Sequence, residues 1–322
     1  MCLNKANKVL LILGNGFDLA LGLKTSYTSF IESDIFTKKV NLRSFPNAKF
    51  NEHDKNIHNY LIRRKWMNNW IDVEMELKSY ASNQKVEYLY DDGKSLYTSN
   101  RSDGTIRASF TILCLDLQTY ISSLDYSTIS ENSIPLELYR TIASHKQNDI
   151  VSFNYTDLKR LDRKPPKSNI EYIHGNVNEG IILGFQRFDD MAPGYEYMIK
   201  VENPNYKSCH LATKMMVADE IIIFGHSLGI TDHYYFQQFF DKQTSEKATP
   251  KRMTLFTLNE KSKELIVRQL VSLSNGKYGL FRDNTEVTII ETENNDDVVK
   301  KYVIDLEKRM RRGILVGSSI TH

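Results

Sequence analysis

Cysteine is scarce in this chain, and its scarcity excludes two architectures. Cys2, Cys114 and Cys209 are odd in number and far apart in 322 residues. No pair has Cys-x-x-Cys spacing, so neither a disulfide framework nor a zinc ribbon is supported. Reduced thiols and a cytoplasmic location are the expectation. Long apolar runs are also missing. A membrane span needs roughly 20 consecutive apolar residues, whereas Val9–Leu13 is short and runs into a glycine loop instead of a signal-peptide cleavage site. No membrane association is expected. Nor is there an excess of charge of one sign: 42 Lys and Arg face 40 Asp and Glu, for a net charge of +2. A protein that coats duplexes needs a concentrated basic face, so nucleic acid is not indicated as a partner. Internal repeats and long low-complexity tracts are absent.

What is present suits a soluble α/β protein. Val9-Leu10-Leu11-Ile12-Leu13 is continuous, apolar and bounded by glycine, the pattern of a strand buried on both faces. A helical stretch over 17–35 follows, interrupted at Gly22. Residues 36–60 are polar. Trp66 to Tyr80 carries Trp66, Trp70, Val73 and Leu77 at helical spacing, and Phe110 to Leu124 and 135–145 also read as helical. Strand signals return at Asp149–Asn154, Ile170–His174, Gly180–Phe185, Glu220–Gly225, Met253–Leu258 and Glu286–Ile290. Strands alternating with helical patterns predict a doubly wound, mostly parallel sheet of Rossmann-like type. Such a sheet places its ligand outside the carboxyl ends of its strands. The expected division is a core of 1–30 and 146–312, a mainly helical insertion at 31–145 and a flexible tail at 313–322.

Five segments could carry chemistry. In Gly14-Asn15-Gly16-Phe17-Asp18, a strand runs through two glycines into a helix, which lets backbone N–H groups approach a phosphate. The full G-x-G-x-x-G pattern fails, because Leu19 holds the third glycine position, and a plain strand–helix turn explains the loop equally well. Asn154, in Ser152-Phe153-Asn154-Tyr155-Thr156-Asp157, ends a strand. It can orient a water or a ribose hydroxyl, or simply cap the next helix. His174 before Gly175 can act as a base near neutral pH, or be a satisfied polar residue. Gly225-His226-Ser227-Leu228-Gly229 matches the G-x-S-x-G nucleophile elbow. That reading makes Ser227 the nucleophile of a serine hydrolase, but only His233 and His322 follow it as candidate bases. Leu258-Asn259 ends a strand where a ribose contact is possible. In the helical block, Trp66 and Trp70 suggest a packed face. Glu74 and Glu76 are two apart and do not share a helical face, which disfavours a paired-carboxylate site.

The order of these pieces resembles the sirtuin-like NAD-binding domain: the Gly14-Asn15-Gly16 loop, Gly22-Leu23-Lys24, Asn154 with Asp157, His174-Gly175, Gly225-His226-Ser227-Leu228, then Leu258-Asn259. More closely, Leu13 to Ala20, the Trp70 to Glu74 segment, Ser152 to Asp157, Ile173-His174-Gly175 and Gly225 to Leu228 are similar to the AbiH-type family of bacteriophage abortive-infection proteins. The resemblance implies an NAD-consuming glycohydrolase that depletes NAD during infection. It implies catalytic roles for Asn154 and His174, the latter as base. It implies NAD contacts from Gly14, Asn15, Gly16, Asp18, Thr156, Asp157, Gly225, Ser227 and Asn259. NAD is then substrate, no metal is expected, and a phage-derived trigger and a homo-oligomer are the expected partners. The chain also departs from the sirtuin pattern. The four zinc-binding cysteines are absent, Thr156 stands where sirtuins carry Asp, and Lys24 replaces the loop proline. A non-catalytic nucleotide sensor acting through a partner is the alternative of a different class.

Overall fold

The computed structural model describes residues 7–40, 56–67, 72–82, 85–89, 95–99, 104–188 and 191–315. The chain divides into two compact units. The first comprises Met1–Leu23, Asp125–Ile173 and Ser208–His322; the second comprises Lys24–Leu124 and His174–Lys207. This differs from the expected boundaries at three places. Residues 125–145 belong with the core, and 24–30 and 174–207 belong with the inserted block.

The first unit is built on six parallel strands: β1 (Val9–Leu13), β2 (Asp149–Ser152), β3 (Asn169–Tyr172), β4 (Glu220–Phe224), β5 (Lys251–Thr257) and β6 (Thr285–Glu291). Their order across the sheet is β6-β5-β4-β1-β2-β3. Leu11 of β1 lies opposite Ile150 of β2 on one side and Ile222 of β4 on the other. The chain thus starts in the middle, winds outward through β2 and β3, and returns to β4 beside β1. The switch point lies between β1 and β4, where doubly wound sheets bind ligands at the strands' carboxyl ends.

The apolar runs have a packing reason. Successive side chains of a strand point to opposite faces, and both faces are covered here. Leu10, Ile12, Ile221, Ile223, Met253 and Leu255 pack in one core with residues of the helices Leu211–Val217, His233–Gln243 and Glu260–Leu273. Val9, Leu11, Leu13, Ile222, Phe224 and Phe256 pack in a second core with the helices Ile134–Ala143 and Asp296–Leu315. No helix among the described residues is long and apolar enough to cross a membrane.

The second unit contains the helices Ile57–Met67, Val73–Ser82 and Gly104–Ser122. An antiparallel pair, Lys85–Leu89 with Ser95–Ser99, lies within it. Aromatic rings fill its interior: Phe30 sits 5.2 Å from Phe36, and Tyr60 sits 4.9 Å from Tyr80. Two expectations need correction here. The helical spacing from Trp66 to Tyr80 does not make one helix. The first helix ends at Met67 and the next starts at Val73, and Trp66 is exposed, not part of a packed face. Trp70 lies outside the described residues. Gly180–Phe185 is not a strand of the main sheet either. Gly180–Ile181 pairs with Gly175–Asn176 and Phe185 forms an isolated bridge with Ile199, because positive φ at Gly175, Gly180 and Gly184 bends the chain three times in ten residues.

Candidate functional site

The loops after β1, β2 and β4 meet at the switch point. The Gly14 N–H donates to the Phe224 carbonyl (3.0 Å), and the Gly16 N–H donates to the Gly225 carbonyl (2.9 Å). A Cβ on Gly14 would stand 2.5 Å from His226 Cα, and one on Gly16 would stand 2.7 Å from Gly225 Cα. Gly225 itself has φ +66, and its Cβ would fall 2.3 Å from the Phe17 nitrogen. These three glycines let two backbones cross in direct contact. This changes the meaning of the glycine motif. The N–H groups of Gly14 and Gly16 are spent on the β4 loop, and that of Phe17 on Gly14 O, so none of the three is left to cradle a phosphate. Asn15 and Ser227 are the exposed members of the two loops.

Beneath this crossing lies a buried polar group. The Asn154 backbone N–H donates to Ser152 Oγ (3.1 Å), which turns the chain as β2 ends. Its side-chain amide donates to the Gly14 carbonyl (3.0 Å), tying the β2 loop to the β1 loop. Asn154 is therefore a bridge between strand ends, not a helix cap. Thr156 donates its hydroxyl to Asp18 Oδ2 (2.9 Å). Asp18 is 1 % exposed, and its Oδ1 has no partner within hydrogen-bond geometry; the Asn154 amide keeps a second N–H after donating to Gly14 and favours the ionised carboxyl. Burial raises the Asp18 carboxyl from the usual 3.8 to about 7, with Thr156 and Asn154 offsetting only part of that rise. A carboxyl that can hold or release a proton near neutral pH, under a strand-end loop at the switch point, is the strongest chemical signal in this unit. Its neighbour Tyr126, whose hydroxyl accepts from the Asp157 N–H (3.1 Å), is pushed up to about 12, mainly by burial.

Two expected nucleotide contacts are engaged locally. Asp157 Oδ1 accepts from the Lys159 N–H (3.0 Å) and caps the turn Leu158–Leu161, so the capping role weighed for Asn154 falls to Asp157. Asn259 Oδ1 accepts from the Ser262 N–H (3.2 Å) and caps the helix Glu260–Leu273.

The elbow motif does not have elbow geometry. A nucleophile elbow runs from strand straight into helix at the serine. Here the helix begins at His233, after a turn at Ile230–Asp232, and the positive φ values fall on Gly225 and Leu228. His226, beside Ser227, has both ring nitrogens in use. Nδ1 accepts from the Leu228 N–H (3.0 Å), and Nε2 faces Asp232 at 3.3 Å. His233 Nε2 lies 3.1 Å from the Leu228 carbonyl and 2.9 Å from Gln269. Neither histidine is set to take a proton from Ser227. Ser227 is expected to remain unlabelled by a fluorophosphonate probe; stoichiometric labelling there would restore the hydrolase reading.

His174 belongs to the second unit, where it is 5 % exposed. Its carbonyl accepts from the Ile182 N–H (2.7 Å), and its Nε2 lies 3.1 Å from Lys200 Nζ. Lys200 also pairs with Glu74 at 2.8 Å. Glu76 turns elsewhere, to Arg64 at 2.6 Å, so the two glutamates serve different partners, as their spacing requires. Sequence reasoning missed Lys200. It sits in an ordinary polar stretch, and nothing local marks it for burial.

A parallel sheet wound outward from a central first strand, with a glycine crossing and a polar group at its switch point, defines a doubly wound α/β protein of Rossmann-like order. The chain belongs to the AbiH family, whose description is bacteriophage abortive infection; the family model matches residues 10–252. That span takes in every candidate residue named above except Asn259 and His322. A comparison with curated proteins found no match.

Proposed function

We propose that the protein is an NAD glycohydrolase acting in phage abortive infection, built on a sirtuin-like core. One observation carries this reading: at the carboxyl ends of β1 and β2, Asn154 is held on the Gly14 carbonyl above a buried Asp18 whose carboxyl titrates near neutrality. Cleavage of the nicotinamide–ribose bond passes through an oxocarbenium-like centre. The C1′–N bond breaks with its electron pair leaving on nicotinamide, water oxygen bonds to C1′, and the water's proton passes to a base and then to solvent. Such a reaction needs positioned groups and one modest proton acceptor more than a strong nucleophile.

Asn154 is assigned the ribose or the attacking water, and Asp18 the proton-holding role beside it. Asn15 and Ser227, exposed on the two crossing loops, are assigned the phosphates. His174 is assigned to the reacting centre by motif order. Purified protein is expected to release nicotinamide from NAD. Asn154→Ala and His174→Ala should each lower that rate at least a hundredfold, a loss of about 2.7 kcal/mol or more in transition-state stabilisation. Full activity in both variants would overturn the assignment. NAD binding by calorimetry without turnover, in infected-cell extract as well as in buffer, would make the protein a nucleotide sensor acting through a partner.

A further inference from the structure

The second unit holds three ionisable side chains in a row. Glu74 Oε2 lies 2.8 Å from Lys200 Nζ, and Lys200 Nζ lies 3.1 Å from His174 Nε2. All three are buried, and Lys200 is 1 % exposed. The backbone sets them in place. The Lys200 N–H donates to the Phe185 carbonyl (3.0 Å) and the Phe185 N–H donates to Met198 O (3.1 Å), so the lysine is fixed to the strand-like segment beside it. Gly184, at φ +145, lets Met198 O come within 2.0 Å of where a Cβ would stand. Glu74 is supplied from the first turn of the helix Val73–Ser82.

An ammonium has three donors and no acceptor. Paired with the Glu74 carboxylate, Lys200 can only donate to His174. The Nε2 of His174 must then accept, and its ring proton must sit on Nδ1. Histidine tautomers are set by such partners. We propose that Glu74 and Lys200 are positioning residues that lock His174 as the neutral, Nδ1-protonated tautomer. Its functional meaning rests on the reading of His174 as a reacting-centre residue, and it sharpens that reading. In the resting protein the Nε2 lone pair of His174 is then engaged by Lys200 and the ring proton is held on Nδ1. It can serve as a base only if Lys200 withdraws. Burying an ion pair is a poor route to stability, and a pair that ends on a histidine has a chemical consequence that a hydrophobic pair would lack.

The test is the tautomer itself, read by long-range ¹H–¹⁵N correlation on ¹⁵N-histidine protein, with the His174 signals assigned by their loss in His174→Gln. Wild-type protein is expected to show the Nδ1–H pattern at neutral pH. Lys200→Met should move His174 to the commoner Nε2–H form, and Lys200→Arg should retain the wild-type pattern. An Nε2–H or doubly protonated His174 in the wild type would overturn the proposal, and needs no variant that might misfold. The outcome is separable from the proposed activity: absence of nicotinamide release, in infected-cell extract as well as in buffer, with the Nδ1–H tautomer present would overturn the glycohydrolase reading and leave the Glu74–Lys200–His174 arrangement standing.

Discussion

Asp18→Asn is expected to make the protein more stable at alkaline pH and no more stable at acid pH. The sign follows from the direction of the shift. The folded carboxyl is raised from 3.8 to about 7, so the folded state binds the proton more tightly than the unfolded chain does. Below the unfolded value both states are protonated and burial of the group costs little. As pH rises toward about 7 the unfolded chain ionises while the folded one resists, and stability falls by about 1.4 kcal/mol per pH unit. Above about 7 the penalty is constant, roughly 4 kcal/mol for a shift of this size. An asparagine keeps an oxygen for the Thr156 hydroxyl and carries no charge to desolvate. Urea denaturation of wild type and variant between pH 4 and pH 9 should therefore show a difference that opens across that window and then levels. A pH-independent difference would show that Asp18 does not titrate there. On the proposed glycohydrolase reading the same variant should also lose nicotinamide release, since a costly buried carboxyl is the kind of group found at a functional site.

Gly225→Ala should be the most damaging single change in the core. Gly225 takes φ +66, which costs an L residue about 1–2 kcal/mol. The larger effect is steric. The new methyl would meet the Phe17 nitrogen at 2.3 Å and the Gly16 carbonyl carbon at 2.4 Å, and both are backbone atoms that cannot rotate away. Relief would require separating the β1 and β4 loops and losing the Gly16-to-Gly225 hydrogen bond. The expected loss exceeds roughly 4 kcal/mol, a large share of the 5–15 kcal/mol that typically holds a domain. The variant should be insoluble or lack a cooperative unfolding transition. Gly22→Ala is the control. Gly22 has φ +86 but nothing within 4 Å of its Cβ position, so only the conformational cost of about 1–2 kcal/mol applies. A soluble Gly225→Ala protein melting as the Gly22→Ala control does would contradict the crossing-loop account.

Val9–Leu13 and Glu220–Phe224 were legible because burial on both faces demands uninterrupted apolar residues, whereas the outer strands β3 and β6 are less buried and mix polar with apolar residues. Gly180–Phe185 looked equally apolar and is not in the sheet, since its two positive-φ glycines, Gly180 and Gly184, belong to turns that apolarity cannot reveal. The polar ends of β1 and β2 were legible as candidate positions, and Asn154 and Asp18 do share a buried group there. Which of them bridges, caps or titrates was not legible. Asp157 and Asn259 have the same local signature as Asn154, yet two cap turns or helices and one joins two loops.

By itself the sequence determined the fold class, the positions of the strands and the family, all of which depend on short-range patterns of apolar, glycine and polar residues. Only the tertiary structure decided the roles. It spent the N–H groups of Gly14 and Gly16 on the β4 loop, buried Asp18 deeply enough to bring it near neutrality, and placed Lys200 between Glu74 and His174. The physical reason is the same in each case. Desolvation, hydrogen-bond commitment and tautomer are properties of what surrounds a group in space, and residues distant in the sequence supply those surroundings.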